Sequence, residues 1–266
     1  MKIWEKFEME CTEYLNNNFG KYAGFIHFGG ANSTTADILV RTNSGKNFYI
    51  DVKHSPAQCG QFVLTPRIET NLFEYSTQNS NSINEYAIVI MNYMNKFFGE
   101  YRNAGTAGKE IIFDNCQEVF AKWIIESYKN KNVQFFITNN YTILPVDRLN
   151  EYFDVSAKYR IKRSGSSSIG KTNIVAYAKL LSNDKAHNYN IRNVRIDGNK
   201  LFVSSDKNLH KLRFIHKYQE FMFSAKKGEY ELRKLSNTYN ANVIFSIRLK
   251  NNKSGISDSE FIEFLC

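Results

Sequence analysis

A six-residue run of mostly apolar side chains, VQFFIT at 133–138, most limits the folds that this chain can adopt. A strand of this kind is typical of the centre of a sheet, because both of its faces must be covered by other elements. Segments with an apolar residue at every third or fourth position predict the covering helices, and they lie at 3–19, 83–98, 117–128 and 173–181. We therefore expect an α/β fold with a mixed central sheet flanked by helices.

Two further predicted strands form a hairpin with an unusual set of charged residues. The strands lie at 36–41 and 48–54 and are joined by a turn. Asp37 opens the first strand, and Asp51 and Lys53 lie in the second. Because side chains alternate between the two faces of a strand, Asp51 and Lys53 point the same way. Pairing of the strands can bring Asp37 beside them.

This combination of residues suits hydrolysis of a phosphodiester bond. Two carboxylates that converge repel each other unless a cation neutralises them, and their hard oxygen atoms favour Mg²⁺. A lysine beside that cation can position or help to deprotonate an attacking water molecule. The alternative interpretation is an ordinary hairpin with exposed charges. Glu8, on the first predicted helix, either supplies an accessory carboxylate or is a solvated helix charge.

The charge of the chain is divided unevenly along its length. Residues 1–155 contain 14 Lys+Arg and 17 Asp+Glu, whereas residues 156–266 contain 21 and 9. A basic half joined to a near-neutral half indicates that one part binds a polyanion. The sequence therefore predicts a catalytic core at 1–155 and a basic, strand-rich binding part at 156–266, packed together as one compact unit.

A second motif competes with the hairpin as the place where chemistry occurs. Residues 165–172 (GSSSIGKT) match the phosphate-binding pattern GxxxxGK[ST]. The segment before them, KYRIKR, is unlike the buried apolar strand that normally precedes such a loop. We expect the loop to contact phosphates through backbone N–H groups and Lys171 rather than to hydrolyse a nucleotide. A P-loop NTPase acting on nucleic acid is one alternative function, and a non-catalytic DNA-binding protein is the other.

The hairpin pattern resembles the PD-(D/E)xK nuclease superfamily, with Ala36 in place of the proline. Over most of its length the chain also resembles type II restriction endonucleases of the HhaI family. The segments that carry this resemblance are STTADI at 33–38, YIDVK at 49–53, QCGQFVL at 58–64, KNVQFFIT at 131–138, YRIKRSGS at 159–166 and LSNTYNANVIFSI at 235–247. The middle acid is Asp51 where the family has Glu, which shortens this ligand by one methylene group.

The resemblance implies cleavage of double-stranded DNA at the palindrome GCGC, with Mg²⁺ as the cofactor and 5′-phosphate ends as the products. It implies that Asp37, Asp51 and the Val52 backbone carbonyl bind the metal. Lys53 is implied as a further catalytic residue, with Gln61 as an assisting one. It also implies a monomer or weak dimer that is paired with a cognate cytosine DNA methyltransferase in a restriction-modification system.

The residues expected to contact DNA are basic or polar, and they are Lys158, Arg160, Lys162, Arg163, Ser166, Lys171 and Asn240. Lysine and arginine neutralise phosphates, and arginine also pairs with guanine in the major groove. On an alternating strand, Lys158, Arg160 and Lys162 share one face. The chain has no apolar run of membrane-spanning length and no CxxC motif, so the expectation is a cytoplasmic prokaryotic protein that does not cross a membrane.

Overall fold

The computed structural model describes residues 3–28, 36–163, 165–183, 186–251 and 253–266, without the side chains of residues 186 and 187. The chain forms two units. The first contains Met1–Ile161 and Ala241–Cys266, and the second contains Lys162–Asn240. The unit boundary lies after residue 161 rather than after residue 155, because the strands at Phe153–Arg163 and Tyr239–Leu249 pair within a sheet of the first unit. No helix within the described ranges is long and apolar enough to cross a membrane.

The first unit begins the chain with a succession of helices and strands: α1 (Ile3–Phe19), β1 (Ala23–His27), β2 (Ile38–Thr42), β3 (Asn47–Lys53), β4 (Ala57–Arg67), β5 (Leu72–Tyr75), α2 (Glu85–Lys96), α3 (Phe98–Arg102), β6 (Lys109–Glu110), α4 (Cys116–Lys129), β7 (Val133–Thr138), β8 (Thr142–Pro145), α5 (Leu149–Tyr152) and β9 (Phe153–Arg163). The second unit follows with β10 (Ser166–Ser168), α6 (Ile174–Ser182), α7 (Ala186–Tyr189), β11 (Ile191–Asp197), β12 (Lys200–Ser205), β13 (Arg213–His216), β14 (Gln219–Lys226) and β15 (Glu229–Leu235). The chain then returns to the first unit with β16 (Tyr239–Leu249) and α8 (Asp258–Leu265).

The first sheet has the strand order β1-β2-β3-β7-β8, and it confirms the predicted hairpin and the predicted central strand. In the antiparallel β2–β3 pair, Ile38 lies opposite Ile50. The β3–β7 pair is parallel and places Asp51 opposite Phe136. One face of this sheet packs on a core that includes residues of α1 and α8. The opposite face packs on a second core that includes residues of α4, so the sheet is covered on both sides and the predicted α/β class is confirmed.

The second sheet of the first unit has the order β5-β4-β16-β9-β6 and contains a bulge next to the end of β3. Gln61 pairs with Ile244 and Gln58 pairs with Ser246. Two residues of β4 therefore lie opposite a single residue of β16, and such a bulge changes the face to which later side chains point. Gly60 within the bulge has φ +95°, a conformation that side chains with a Cβ rarely adopt.

Substitution of Gly60 by alanine is expected to lower the free energy of unfolding by roughly 1–3 kcal/mol. A Cβ at this position would lie 2.8 Å from the Trp123 ring, in addition to the backbone strain at positive φ. Urea unfolding of the variant would measure the loss. Gly24→Ala is the matched control, because a Cβ at Gly24 meets nothing within 4 Å; an unchanged stability for Gly60→Ala would contradict the strained bulge.

The second unit is built on an antiparallel sheet with the order β11-β12-β15-β14-β13, to which β10 adds beside β15. Its separate core includes Leu201, Phe221, Phe223 and Leu232, all fully buried. Residues 162–240 contain 16 Lys+Arg against 6 Asp+Glu, a net charge of +10. The positive charge of the chain is therefore concentrated in a small β-rich unit that has a core of its own.

Candidate active site

Strand β3 holds Asp51 and Lys53 on the same side, as the alternation of its side chains predicts. The Lys53 ammonium forms an ion pair with Asp51 Oδ2, and both side chains are largely buried, with 14% and 9% exposure respectively. The preceding residue, Ile50, packs on the core beneath the opposite face. A buried ion pair of this kind is uncommon in a hairpin that has only a structural role, because removing both charges from water carries a large desolvation cost.

Asp37 joins this pair through the register of the β2–β3 hairpin. It directly precedes Ile38, whose partner is Ile50, so continuing the antiparallel register places Asp37 beside Asp51. The backbone N–H of Val52 donates a hydrogen bond of 2.8 Å to Asp37 Oδ2. The structure therefore brings Asp37, Asp51 and Lys53 together at the end of the hairpin, although the preceding residues 33–35 of the STTADI segment lie outside the described residues.

The surroundings of Asp37 perturb its ionisation. Burial and the negative charge of Asp51 raise the pKa of Asp37 to about 8, and Glu8 adds to the rise, while the Val52 N–H and Lys53 oppose it. Such a pKa means that burial, together with neighbouring negative charge, disfavours the ionised carboxylate. A divalent cation would favour the ionised form, since carboxylate and backbone carbonyl oxygens are the ligands that Mg²⁺ prefers.

This donor set fits a hydrated cation rather than a fully enclosed one. The described residues contain no cluster of three or more His, Cys, Asp or Glu side chains suited to a metal. Mg²⁺ commonly uses one or two protein carboxylates and keeps several waters. Asp37 and Asp51 could supply two side-chain ligands, and the Val52 carbonyl, between Asp51 and Lys53 in β3, could supply a third oxygen.

Binding of a divalent cation is expected to release close to one proton per protein at pH 7. With a pKa of about 8, the Asp37 carboxyl is mostly protonated at that pH, and a bound cation would lower this pKa and displace the proton. Titration calorimetry with Ca²⁺ in buffers of different ionisation enthalpy measures the release. It should fall towards zero above pH 9 and disappear in Asp37→Asn; binding at pH 7 without proton release would contradict the raised pKa.

Two aromatic rings lie close to the Lys53 ammonium. Lys53 Nζ lies 5.4 Å from the centre of the Tyr128 ring and 6.0 Å from that of Phe136, and the Tyr128 hydroxyl is hydrogen-bonded to Lys53. Burial disfavours the charged lysine, but the attraction and hydrogen bond of Asp51 outweigh it and hold the pKa of Lys53 well above its usual range. Lys53 is therefore an ammonium ion, suited to donating hydrogen bonds and stabilising negative charge.

Glu8 lies on the buried side of α1 and is only 8% exposed. Its Oε2 atom is 3.0 Å from His27 Nε2, and its charge contributes to the raised pKa of Asp37. The structure thus favours the accessory position near the site over the solvated alternative. His27 could not be assigned as the partner of Glu8 from spacing, because it lies 19 residues away on β1.

The two glutamines of the QCGQ segment share one cleft beside Lys53. Gln58, Gln61 and Lys53 all line it, together with Tyr128, and Gln58 Nε2 donates to Gln61 Oε1 at 3.3 Å. Residues three apart on a regular strand would face opposite sides. The Gly60 bulge places both on the same side, so Gln58 and Gln61 both line the cleft beside Lys53.

The predicted DNA-contacting residues of β9 differ in their surroundings. Lys158 and Arg160 lie on the polar face and line a second cleft of about 320 Å³ with Gln58. Lys158 Nζ is 3.9 Å from Glu110, whereas Arg160 Nε is buried without a hydrogen-bond partner in the described structure. Lys162, two residues further along, is exposed.

Arg163 is the predicted DNA contact whose side chain is already engaged. It forms an ion pair with Glu220, donates a hydrogen bond of 2.9 Å to the Tyr239 hydroxyl and lies against the Tyr239 ring. These partners all belong to the second unit. The Arg163 guanidinium group is therefore held by Glu220 and Tyr239, and its contact with DNA stays a prediction.

The segment that matches the P-loop pattern does not have P-loop geometry. Ser166–Ser168 form β10, which pairs antiparallel with β15, whereas a P-loop curves around a phosphate between a strand and a helix. Arg233 donates to the Ser166 backbone carbonyl at 2.7 Å, so Ser166 is part of this pairing. Lys171 follows and is exposed, and Asn240 is half-buried near the start of β16.

A solved structure of HhaI endonuclease in complex with DNA is similar to this chain over its full length. The two chains share 40% sequence identity and have a TM-score of 0.81, and the match covers 100% of this chain and 99% of the other. No protein-family profile matches the chain, and neither does any curated protein sequence. Identity of this extent over both whole chains confirms the resemblance found in the sequence, and the protein belongs to the HhaI family of restriction endonucleases.

Proposed function

We propose that the protein is a Mg²⁺-dependent type II restriction endonuclease that cleaves both strands of DNA at a specific site and leaves 5′-phosphate ends. The observation that carries this proposal is the buried cluster of Asp37, Asp51 and Lys53 in a chain related along its whole length to an endonuclease that was solved with DNA. GCGC is the target that we propose from the relationship to HhaI.

In the proposed reaction, Asp37, Asp51 and the Val52 carbonyl would hold Mg²⁺, in the manner of PD-(D/E)xK nucleases. When bound, the cation lowers the pKa of a water molecule and offsets negative charge on the phosphate. Lys53 would donate a hydrogen bond to the phosphate oxygen or the attacking water, because its ammonium form is stabilised beside Asp51. Attack of the water oxygen on phosphorus would break the bond to the 3′ oxygen, which leaves as a hydroxyl group.

Two surface features support DNA as the substrate. The second unit has a net charge of +10, which favours association with phosphates. On the first unit, the cleft beside Lys53 and the cleft beside Arg160 share Gln58. A strand of DNA lying on this unit could therefore extend from the cluster of Asp37, Asp51 and Lys53 to the polar face of β9.

Plasmid DNA incubated with the protein and Mg²⁺, without ATP, tests the proposed function. Discrete fragments whose mapped ends carry 5′-phosphates are expected, and chelation of the metal should abolish them. Cleavage that requires ATP would favour the P-loop alternative, and binding without cleavage in any divalent metal would favour the non-catalytic one. Ends that do not map to GCGC would refute the target while retaining the activity.

The same cleavage assay tests the proposed pairing with a methyltransferase, and sedimentation tests the proposed assembly. A plasmid methylated at the cytosines of its recognition sites should resist cleavage, as protection by a cytosine methyltransferase in a cytoplasmic restriction-modification system requires. Sedimentation of the protein with a single-site duplex distinguishes a monomer from a weak dimer. Cutting of methylated and unmodified sites at equal rates would contradict the proposed pairing.

Arg160→Gln is expected to weaken binding to the recognition site by roughly tenfold to a hundredfold, the range for a charge-assisted hydrogen bond. Arg160 lines the cleft that shares Gln58 with the cleft beside Lys53, so we propose that its guanidinium group donates to a phosphate or a guanine. Equilibrium binding in Ca²⁺ measures the loss. Arg41→Gln, at an exposed position of β2, is the control, and equal affinities for the two variants would contradict the contact.

A further inference from the structure

The cleft beside Lys53 contains a second lysine, Lys131, that the proposed mechanism does not use. It has a volume of about 490 Å³ and lies between β4, the loop after β5 and the end of α4. Lys53 and Lys131 are the cations among its described lining residues, and no described aspartate or glutamate lines it. The other polar groups at its wall are neutral, and they include Gln61, Gln78 and Ser80. Such a wall is suited to an anion.

The wall of this cleft is held in place by hydrogen bonds of the loop that follows β5. The Asn79 side chain accepts from the Val63 N–H at 2.7 Å and donates to the Val63 carbonyl at 2.9 Å. Asn81 Nδ2 donates to Ser127 Oγ at 3.0 Å. Because Asn79 and Asn81 fasten the loop on both sides, the side chains of Gln78 and Ser80 are presented from a fixed backbone.

Lys131 lies against the same Tyr128 ring as Lys53. Lys131 Nζ is 5.7 Å from the ring centre and Lys53 Nζ is 5.4 Å from it. The two ammonium groups are therefore no further apart than these two distances combined. The Lys131 backbone N–H donates to the Tyr128 carbonyl at 3.0 Å, which fixes Lys131 just after the end of α4.

We propose that this cleft is a subsite for a second phosphate of the strand that is cut, and that Lys131 is the residue that binds it. The inference rests on the proposed function, since it takes Lys53 to mark the scissile phosphate. Successive phosphates on one strand of DNA rise about 3.4 Å along the axis and also turn around it, so neighbouring phosphates lie farther apart than this rise. Two cations on one aromatic ring can therefore bind neighbouring phosphates, and the neutral amides can donate further hydrogen bonds to the same backbone.

The binding of a second phosphate would position the strand for cleavage. Holding the backbone at two points limits the ways in which the scissile phosphate can approach Lys53 and the two aspartates, which raises the fraction of bound DNA in a reactive geometry. Lys131 is a positioning residue in this proposal. Its removal should lower both the affinity for DNA and the rate of cleavage of bound DNA.

A cycle of protein and DNA substitutions tests the contact. Duplexes that carry one neutral methylphosphonate at successive positions near the cut are compared in wild type and Lys131→Met. In wild type, one non-scissile position should lower kcat/KM by roughly tenfold or more. Lys131→Met should show a similar loss on unmodified DNA, and the same methylphosphonate should then have almost no additional effect, because the interaction is already missing.

Controls separate this subsite from a structural role and from failure of the proposed function. Lys129→Met removes the same charge from an exposed position at the end of α4 and should respond to every methylphosphonate as wild type does. The cycle is also read by equilibrium binding in Ca²⁺, which requires no cleavage. Losses that multiply at every position would overturn the subsite, whereas coupling in binding without any cleavage would retain it and overturn the endonuclease.

Discussion

Replacing Lys53 with methionine is expected to lower the rate of DNA cleavage by about a thousandfold or more while DNA binding persists. The structure holds the Lys53 ammonium beside Asp51 in a largely buried setting, where a fixed charge has a larger effect on the transition state than it has in water. Methionine keeps the unbranched shape against the rings of Tyr128 and Phe136 and removes the charge. Single-turnover cleavage with excess enzyme measures the chemical step, and binding is measured separately in Ca²⁺.

The control for this substitution is Lys46→Met, since Lys46 is exposed in the turn of the same hairpin. It should cleave at the wild-type rate. Because Asp51 loses its partner in Lys53→Met, thermal unfolding must show that the variant is folded under the assay conditions. Lys53→Arg retains a cation beside Asp51 and should recover stability but little activity. A folded Lys53→Met protein that cuts DNA within tenfold of the wild-type rate would contradict the assigned role.

Substitution of either aspartate is expected to abolish most of the cleavage, but the two substitutions should differ in their effect on the stability of the protein. Asp37→Asn and Asp51→Asn should each reduce cleavage by about a thousandfold or more, because either change removes a charged ligand of the proposed cation. Asp51→Asn should also lower the free energy of unfolding of the metal-free protein by roughly 3–5 kcal/mol, since it leaves the buried Lys53 ammonium without its partner. Asp37→Asn should not destabilise the metal-free protein at pH 8–9.

The sign for Asp37 follows from the direction of its pKa. Burial and Asp51 raise the pKa from the model-compound value of 3.8 to about 8 in the folded protein. Its contribution to stability is therefore complete below the unfolded value and is lost as the pH rises through about 8. Asparagine can still accept the Val52 N–H bond without a charge, so the variant should lose less stability than wild type between pH 5 and pH 9.

Chemical denaturation across this pH range, without divalent metal, measures the difference between the two aspartate variants. Asp154→Asn, at an exposed position of β9, is the control for removal of a surface carboxylate and should change neither stability nor cleavage. Equal destabilisation by Asp37→Asn and Asp51→Asn at pH 9 would show that Asp37 also depends on an ion pair. Retained cleavage in both variants would remove the assignment of the metal site.

Local patterns predicted the elements that carry the candidate site. The hairpin from β2 to β3 and the central strand β7 follow from alternation and from a short apolar run, and the structure confirms them. Strand β4 spans Ala57–Arg67, although Gly60 and the polar Gln58 interrupt the alternation that identifies a strand. Strand β13 forms one edge of the second unit's sheet and pairs with β14, and no prediction covers these two short strands.

The choice of partners for each charge could not be read from spacing. Arg163 was predicted to contact DNA, but Glu220 and Tyr239 engage it from positions far along the chain. The Tyr128 ring, near the end of α4, lies against Lys53 from a distant part of the chain, and Lys131 lies against the same ring. A tyrosine on the apolar face of a helix and a lysine near a helix end are common, so the sequence does not indicate that they lie beside the candidate site.

The order of acids and lysine in the sequence is sufficient to identify the hairpin and the chemistry that it favours, because strand alternation and antiparallel register act over a few residues. Burial, and hence the raised pKa of Asp37 and the ammonium state of Lys53, depends on which helices cover the sheet. The Gly60 bulge likewise needs the pairing of β4 with β16, a strand almost two hundred residues away. Long-range packing therefore converts a common pattern of charges into a site with a defined electrostatic environment.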